Sequence, residues 1–441
     1  MYGNRLSTYW LQLCRIKGRW PLLFCLLAIF TKTQAQPGLS LELAKPKNYE
    51  SRTLPSEKSS STKFHAPKRF YHDLVSRFNY YFNANNRLNE IIDRARQAHH
   101  DDFTHLLSFY DYTLDQTAKG DIDTILYKCT AGILLHDLRS DWVDKLYLLM
   151  GKAYLYRKNF DSATLVFQYI NYAFAPKDNG YDIPIGSNAS NTNGVFTIAT
   201  RENRSLWKKL MSFPPSRNES FLWQARTYIE SDDLVSASSL LELIRTDPNF
   251  PERLRPQLEE LTAYLLYNQH NYGAAAAHLM LALDDADNRE EQARWEFLAG
   301  QMYELANENT QAIQAFEKAI QHTTNPLLEV YARMRVVYLS SAGRENALQQ
   351  NLDQLLKMAR RDRYEEFRHI IYYAAATLEL SRQHYDAAQS LLIKSAATSG
   401  TDLEQKQKSF LLLGDMNYQI RHYPDAYRFY DSIQSLLLQD S

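Results

Sequence analysis

The residues best able to do chemistry stand together in one place: His99-His100-Asp101-Asp102, followed by His105. Imidazoles and carboxylates at that density are the donor set of a divalent transition metal. The spacing argues against one. Adjacent histidines on a helix point about 100 degrees apart, and no second pair at i, i+4 completes a coordination sphere. The run therefore reads as a solvated turn between helices. The remaining histidines are dispersed, and no glycine-rich phosphate loop, HExxH helix, CxxC pair or G-x-S-x-G elbow occurs anywhere in the 441 residues. The residue sets for phosphate transfer, zinc hydrolysis, dithiol exchange and serine esterolysis are thus all missing. The expectation is a protein that is not an enzyme, with no catalytic residue, cofactor or metal.

What the chain has in abundance is helix. Between Arg294 and Pro326 the sequence reads RWEFLAGQMYELANENTQAIQAFEKAIQHTTNP. Trp295, Leu298, Met302 and Leu305 form one apolar stripe at helical spacing, and Ala312, Phe316 and Ala319 form a second. Asn307, Glu308 and Asn309 between them favour a turn and a cap. Two antiparallel helices approach closely only where side chains are small, which Gly300 and Ala312 provide, while Tyr303 and Phe316 fill the space beside them. Small, aromatic, small, aromatic, small (Gly300, Tyr303, Ala312, Phe316, Ala319), closed by Pro326, is the tetratricopeptide pattern.

Length, composition and the two ends set the frame. A chain of 441 residues exceeds what one core usually serves, and 14 Gly and 14 Pro, with long stretches free of both, favour a helical array. Residues 1–35 carry Arg5, Arg15, Lys17, Arg19 and Lys32 and no acid, with an apolar run from Trp20 to Phe30 that ends at Thr33-Gln34-Ala35. That run is shorter than the roughly 20 residues a membrane span needs, so a cleaved secretory signal is expected. Cys25 sits inside the apolar run behind the bulky Phe24, which argues against a lipoprotein box. Of the 50 basic and 51 acidic residues, five basic ones lie in 1–35, so the remainder carries 45 and 51, a net of −6. That balance excludes the basic footprint of a nucleic-acid binder. Cys129 is then the sole cysteine and forms no internal disulfide.

The order along the chain follows. Residues 36–67, rich in Ser, Pro and Lys, read as a disordered linker. Residues 68–140 read as N-terminal helical hairpins, the first with Leu74, Phe78, Tyr81 and Phe82 on one arm and Leu88, Ile91, Ile92 and Ala95 on the other, joined across Asn83-Ala84-Asn85-Asn86. A buried helix with Cys129 inside it follows over Thr124–Asp137. Residues 141–177 hold the first repeat, on Gly151, Tyr154, Ala163 and Phe167. Residues 178–217 interrupt the pattern with an apolar-rich insertion, expected to be ordered. Residues 218–441 resume it, anchored by Tyr228 and Ala237, Tyr272 and Ala275, the stretch above, Tyr338 and Ala347, Tyr385 and Ala388, and Gly414, Tyr423, Ala426 and Tyr430. The fold class is all-α: a right-handed tetratricopeptide solenoid with an N-terminal helical cap. Two partner-binding surfaces are expected. One is the insertion, through Tyr181, Trp207, Arg217 and Asn218, which repeat packing does not require. The other is the last helix, where Leu436, Leu437 and Leu438 leave an apolar end with no polar cap after it, suited to docking on a second copy or on another protein.

Several stretches resemble a particular family. KRFYHDLVSRFNYYFNANNRLNEII, KCTAGILLHDLRSDWVDKLYLLMGKAY, YDIPIGSN, FPPSRNESFLWQARTYIE and AIQHTTNPLLEVYARMR together look like the PorW/SprE family, tetratricopeptide proteins of the type IX secretion system of Gram-negative bacteria. The resemblance runs from about Lys68 to Arg335. It implies a periplasmic adaptor between the inner-membrane motor module and the outer-membrane translocon, which supports export and gliding, with secretion-system components as partners. Two other readings of the same chain are a SusD-like exported glycan-binding protein and a general peptide-binding scaffold of this repeat type.

Overall fold

The computed structural model describes residues 41–45, 49–59, 63–114, 116–175, 198–202, 213–340 and 345–439, with backbone alone at 116, 345–348 and 436–439. Every regular element among them is helical. The signal-like segment 1–35 lies outside these residues, as do Tyr181 and Trp207. No described helix is long and apolar enough to cross a membrane. Residues 45–439 belong to one compact unit.

The first helix differs from the expected hairpin. α1 (Ala66–Val75) passes through a π-helical segment, Ser76–Phe82, into α2 (Asn83–Ala98) without a break. Asn83 does not break the rod because its side-chain amide donates to the Asn79 carbonyl one turn back, 3.1 Å away, and Ala84 is fully buried. The face turned inward is also not the expected one. His72, Ser76, Ala84, Leu88 and Ile91 are buried, whereas Leu74, Phe78 and Phe82 are 43%, 47% and 52% exposed. Positions four apart drift by about 40 degrees per step on an α-helix. The wider π turn offsets that drift and keeps this side of the rod on α3 (Lys119–Leu134), where a Cβ on Gly132 would stand 2.8 Å from Tyr80.

α3 is buried on most sides, with Cys129 at 0% exposure; burial pushes its thiol pKa well above the ordinary range. Part of the stretch expected to be a disordered linker packs against the end of this helix. Leu54 and Ser56 are buried, the Ser56 amide donates to the Leu134 carbonyl at 3.4 Å, and the Leu138 amide donates to Ser59 Oγ at 3.0 Å.

Seven hairpins follow among the described residues: α4 (Val143–Tyr156) with α5 (Phe160–Ala173), α6 (Arg217–Glu230) with α7 (Leu234–Thr246), α8 (Arg255–Asn268) with α9 (Tyr272–Leu281), α10 (Arg289–Leu305) with α11 (Asn309–His322), α12 (Pro326–Ser340) with α13 (Glu345–Ala359), α14 (Arg368–Ser381) with α15 (Tyr385–Thr398), and α16 (Leu403–Gln419) with α17 (Tyr423–Gln439). The small residues do the work the sequence assigned them. A Cβ on Gly300 would fall 2.7 Å from the Phe316 ring, and Ala163, Ala237, Ala275, Ala312 and Ala388 are all at 0% exposure. Six of the turns share one geometry. Lys158, Asp232, His270, Asn307, Gln383 and Arg421 each adopt a left-handed φ near +60°, and the next amide donates five residues back, as Glu308 does to Tyr303 at 2.8 Å. Six residue types in one strained conformation mean that helix packing imposes the turn. The turn of the α12/α13 hairpin, residues 341–344, lies outside the described residues. Tyr338, expected as its anchor, is 66% exposed.

Candidate protein-binding face

The segment after α2 carries the most informative departure from the sequence reading. The expected solvated turn is present at 102–105, where Asp102, Thr104 and His105 are exposed, but Asp101, Phe103 and the residues that follow are not a free connector. Residues 99–114 run without helix across the first helices of four successive hairpins, α6, α8, α10 and α12, and Phe103, Leu107 and Phe109 join the hydrophobic core built by α8–α12. Phe103 meets Phe297 edge-on at 5.3 Å and stacks on Tyr331 at 5.6 Å. Phe109 lies 4.8 Å from Tyr264.

Side chains of the helices grip the main chain of this segment. Gln301, 4% exposed, accepts from the Leu107 amide at 3.0 Å and donates to the His105 carbonyl at 2.6 Å. Tyr267 donates its hydroxyl to the Leu107 carbonyl at 2.9 Å. Arg294 donates to the carbonyls of Ser108 and Phe109 at 2.8 and 3.1 Å and forms a two-pronged pair with Asp101, both bonds 2.8 Å. Arg335 reaches the Thr104 carbonyl at 3.4 Å. Burial opposes a charged Asp101, but the bonds from Arg294, with His99 beside it, overcome the opposition and hold its carboxyl below the ordinary range. Bidentate arginine–carboxylate pairs are among the strongest charge-assisted contacts, so Asp101 fixes the register of the segment.

The metal-like cluster is therefore spent otherwise. Asp101 belongs to Arg294, and Asp102 closes a small turn with Thr104 and His105, whose bonds, that of the Thr104 hydroxyl foremost, bring its carboxyl to about 2. No group of three or more potential metal donors is assembled among the described residues.

At its far end the segment opens into a cavity of about 300 Å³ between α4, α6 and α8. Tyr110, Tyr112, Tyr156, Tyr264 and Tyr267 line it around Arg226. The Arg226 guanidinium sits 4.0 Å over the Tyr110 ring and donates to the Tyr112 hydroxyl at 2.8 Å. Cation–π contacts of this kind and the Glu230 carboxylate, 3.7 Å from Nε, hold this buried arginine.

The residues expected on a partner surface fare differently. Arg217 and Asn218, 8% and 0% exposed, are too buried to meet a partner. They clamp residues 198–202 instead. Arg217 donates to the carbonyls of Asn171 and Ile198 at 2.9 and 2.7 Å, and burial brings its pKa down to about 10. Asn218 accepts from the Thr200 amide at 2.8 Å and donates to the Thr200 carbonyl at 2.7 Å. Asp247 takes the Ile198 and Ala199 amides at 2.6 and 2.7 Å. Tyr181, Trp207 and the side chains of Leu436, Leu437 and Leu438 lie outside the described residues. On α17, Tyr427 is 72% exposed, while Tyr430 seats on Gly414 as the repeat pattern requires.

Asp101 stood out in the sequence only as one member of a metal-like cluster, and Phe103, Leu107, Phe109 and the four side chains that grip the segment did not stand out at all. A signal was present: Phe103, Leu106, Leu107, Phe109, Tyr110 and Tyr112 crowd ten residues without helical spacing, too apolar for a solvated connector.

No family model matches this chain, and none of the curated proteins does. Among solved structures it is similar to a Rap protein complexed with competence and sporulation factor (16% identity, 66% of this chain and 76% of that one, TM-score 0.33), to the apo form of RapI (10%, 67% and 76%, 0.41), and to yeast Tom70 (15%, 71% and 59%, 0.30). Overlaps this loose transfer no function. The geometry above makes the chain an all-α array of tetratricopeptide-type hairpins, four of whose first helices pack against one non-helical loop of the same chain.

Proposed function

We propose that this protein is a non-enzymatic scaffold of the bacterial cell envelope, acting in the periplasm as an adaptor of the type IX secretion and gliding machinery. The observation that carries the scaffold reading is the grip on residues 101–112. Side chains of Gln301, Tyr267, Arg294 and Arg335 aimed at backbone carbonyls are a device for holding polypeptide, not for transforming a small molecule. The secretion reading is supported by the resemblance; four of its five stretches lie in α1–α2, α3–α4, residues 213–230 with α6, and the α11–α12 junction, and YDIPIGSN lies outside the described residues. These are the parts of the chain that a generic repeat does not need. The partners are proteins of the motor module and the translocon.

The test is in-cell crosslinking of the full-length protein, followed by identification of what it captures, together with an export assay in a strain lacking it. Capture of components of both membranes and loss of export are expected. Intact export with neither component captured refutes the reading. One feature favours glycan binding, the tyrosine-lined cavity around Arg226, since aromatic rings stack on sugars. Saturable binding on a glycan array, lost in Tyr156→Ala, would select that reading over the adaptor.

A further inference from the structure

We infer that the outer side of the rod formed by α1 and its π-helical continuation, from Phe70 to Phe82, docks flat on an anionic lipid surface. This contact rests on the envelope location proposed above and is separate from the contacts with protein partners.

Two residues along a helix is about half a turn, so a row two positions from the buried one stands on the opposite side of the rod. Phe70, Leu74 and Phe82 stand two positions before the buried His72, Ser76 and Ala84, and Phe78 continues their row. Phe70 is 69% exposed, and Tyr71 beside it is 60% exposed. The row runs straight for roughly 18 Å. The outer side of a terminal unit in a solenoid is normally polar, and here it is lined with rings.

Area and charge choose the occupant. At about 150–250 Å² for a whole aromatic side chain, these five residues at their exposures present on the order of 500 Å², more than scattered surface residues make. Each member of a stable dimer buries roughly 800 Å², so the row is too small for a second copy. Residues 63–82 carry Lys63, Lys68, Arg69 and Arg77 against Asp73 alone, on a chain that sums to −6 beyond residue 35. Lys68 and Arg69 face Asp137 and Asp141 of the α3–α4 connection, whereas Lys63 and Arg77 pair with no carboxylate among the described residues. The Arg77 guanidinium instead lies 5.0 Å over the Phe78 ring and 5.8 Å from that of Phe213, which is itself 59% exposed. A positive charge is thereby held at the level of the rings. Phe and Tyr along one side of a helix, with Lys and Arg beside them, suit the boundary of an anionic bilayer, where rings enter the acyl edge and cations meet the headgroups.

The test places an environment-sensitive fluorophore on Leu74→Cys of the full chain, with Cys14→Ser and Cys25→Ser; Cys129, at 0% exposure, is spared. The same label on Val235→Cys, a position 79% exposed on α7, is the control. Vesicles of phosphatidylethanolamine and phosphatidylglycerol carrying a lipid-borne nitroxide should quench the label at 74 saturably and leave that at 235 bright. Lys63→Gln with Arg77→Gln should need about 30-fold more lipid for half the quenching, the effect of two cations lost from such a surface. No quenching at 74, equal quenching at both positions, or the same quenching at 74 on pure phosphatidylcholine vesicles overturns the inference. A label at 74 that is blue-shifted before lipid is added and unquenched afterwards also overturns it. In that case another part of the chain covers the row, or a second copy does if sedimentation shows a dimer. Helical circular dichroism checks each variant, and Phe82→Cys carries the label should Leu74→Cys fail to fold. If envelope partners are captured but the label stays bright, this inference alone falls; if the label is quenched but export is intact with no partner captured, the adaptor reading falls and the lipid contact stands.

Discussion

Arg294→Met removes the guanidinium that joins segment to scaffold while keeping most of the side-chain volume. The ion pair is well shielded, with side-chain exposures of 7% for Arg294 and 15% for Asp101, and both bonds are 2.8 Å. An exposed pair would contribute about 0–1 kcal/mol, whereas breaking a buried one by removing a single partner costs about 3–5 kcal/mol. The geometry belongs with the second case. The Asp101 carboxylate would keep only His99, at 3.0 Å, and the Ser108 and Phe109 carbonyls would lose a charged donor. We expect a loss of about 3–5 kcal/mol, read by urea denaturation followed by helical circular dichroism. Asp101→Leu added to Arg294→Met should then cost less than the sum of the two changes, because no orphaned charge is left; a coupling of about 0.5–3 kcal/mol is the range for side chains in direct contact. A single-variant cost below about 1 kcal/mol, with additive behaviour in the pair, would mean that the contact is a solvated one and that the account of the grip is wrong.

Phe316→Ala should destabilise by about 3–5 kcal/mol through the cavity it leaves, and Gly300→Leu by about 1–3 through overpacking against the same ring; a melting temperature unmoved by either would remove the close-packed hairpin. Burial, with Asp285 beside it, raises the Glu260 carboxyl above its ordinary range against the pull of Arg226. The stability of its neutral form is complete at acid pH and lost as pH rises through the raised value, so Glu260→Gln should gain on the parent protein as melts are taken from pH 5 to pH 9, and parallel curves would refute this. His72 and His136 share a 2.9 Å Nδ1–Nδ1 contact, and burial, then the charge of His72, lowers His136 to about 4. Its contribution is present above the ordinary histidine value near 6.5 and lost as pH falls toward 4, so the advantage of the parent over His136→Gln should shrink across that window. An advantage unchanged at pH 4.5 would contradict it.

The hairpins were legible because their determinants are local. Gly300, Ala312, Phe316 and Ala319 lie within twenty residues of one another, and their spacing alone states how two helices touch. Even the poorly patterned repeats around Ala347 and Ala388 form hairpins, since neighbouring repeats supply the apolar face each one needs. What sequence spacing could not carry is anything decided by distant residues. Asp101 and Arg294 are 193 positions apart, and no period links them. The Asn83–Asn86 run scored as a break because asparagine favours caps, yet packing of Ala84 and Leu88 on α3 outweighs so small a propensity. Arg217 and Asn218 stood out as residues the repeat did not require. That was a fair sign of a special role, but the role is to clamp residues 198–202, which only the fold brings within reach.

α10 shows how far the covered face departs from an ordinary repeat. Its residues 293–302 are buried without exception, Arg294, Glu296 and Gln301 among them. A helix packed on one side buries a stripe three or four residues in seven; ten in succession require cover on both sides. The hairpin partner supplies one side, where Glu296 meets His322 of α11 at 2.8 Å, and the segment supplies the other, where Arg294 and Gln301 face it. Buried polar groups are costly unless each finds a partner. Here the partners on the segment side are mostly backbone atoms rather than chosen side chains. The polar residues of this first helix are satisfied by the main chain of a non-helical neighbour, and the same residues in an uncovered helix would simply face water.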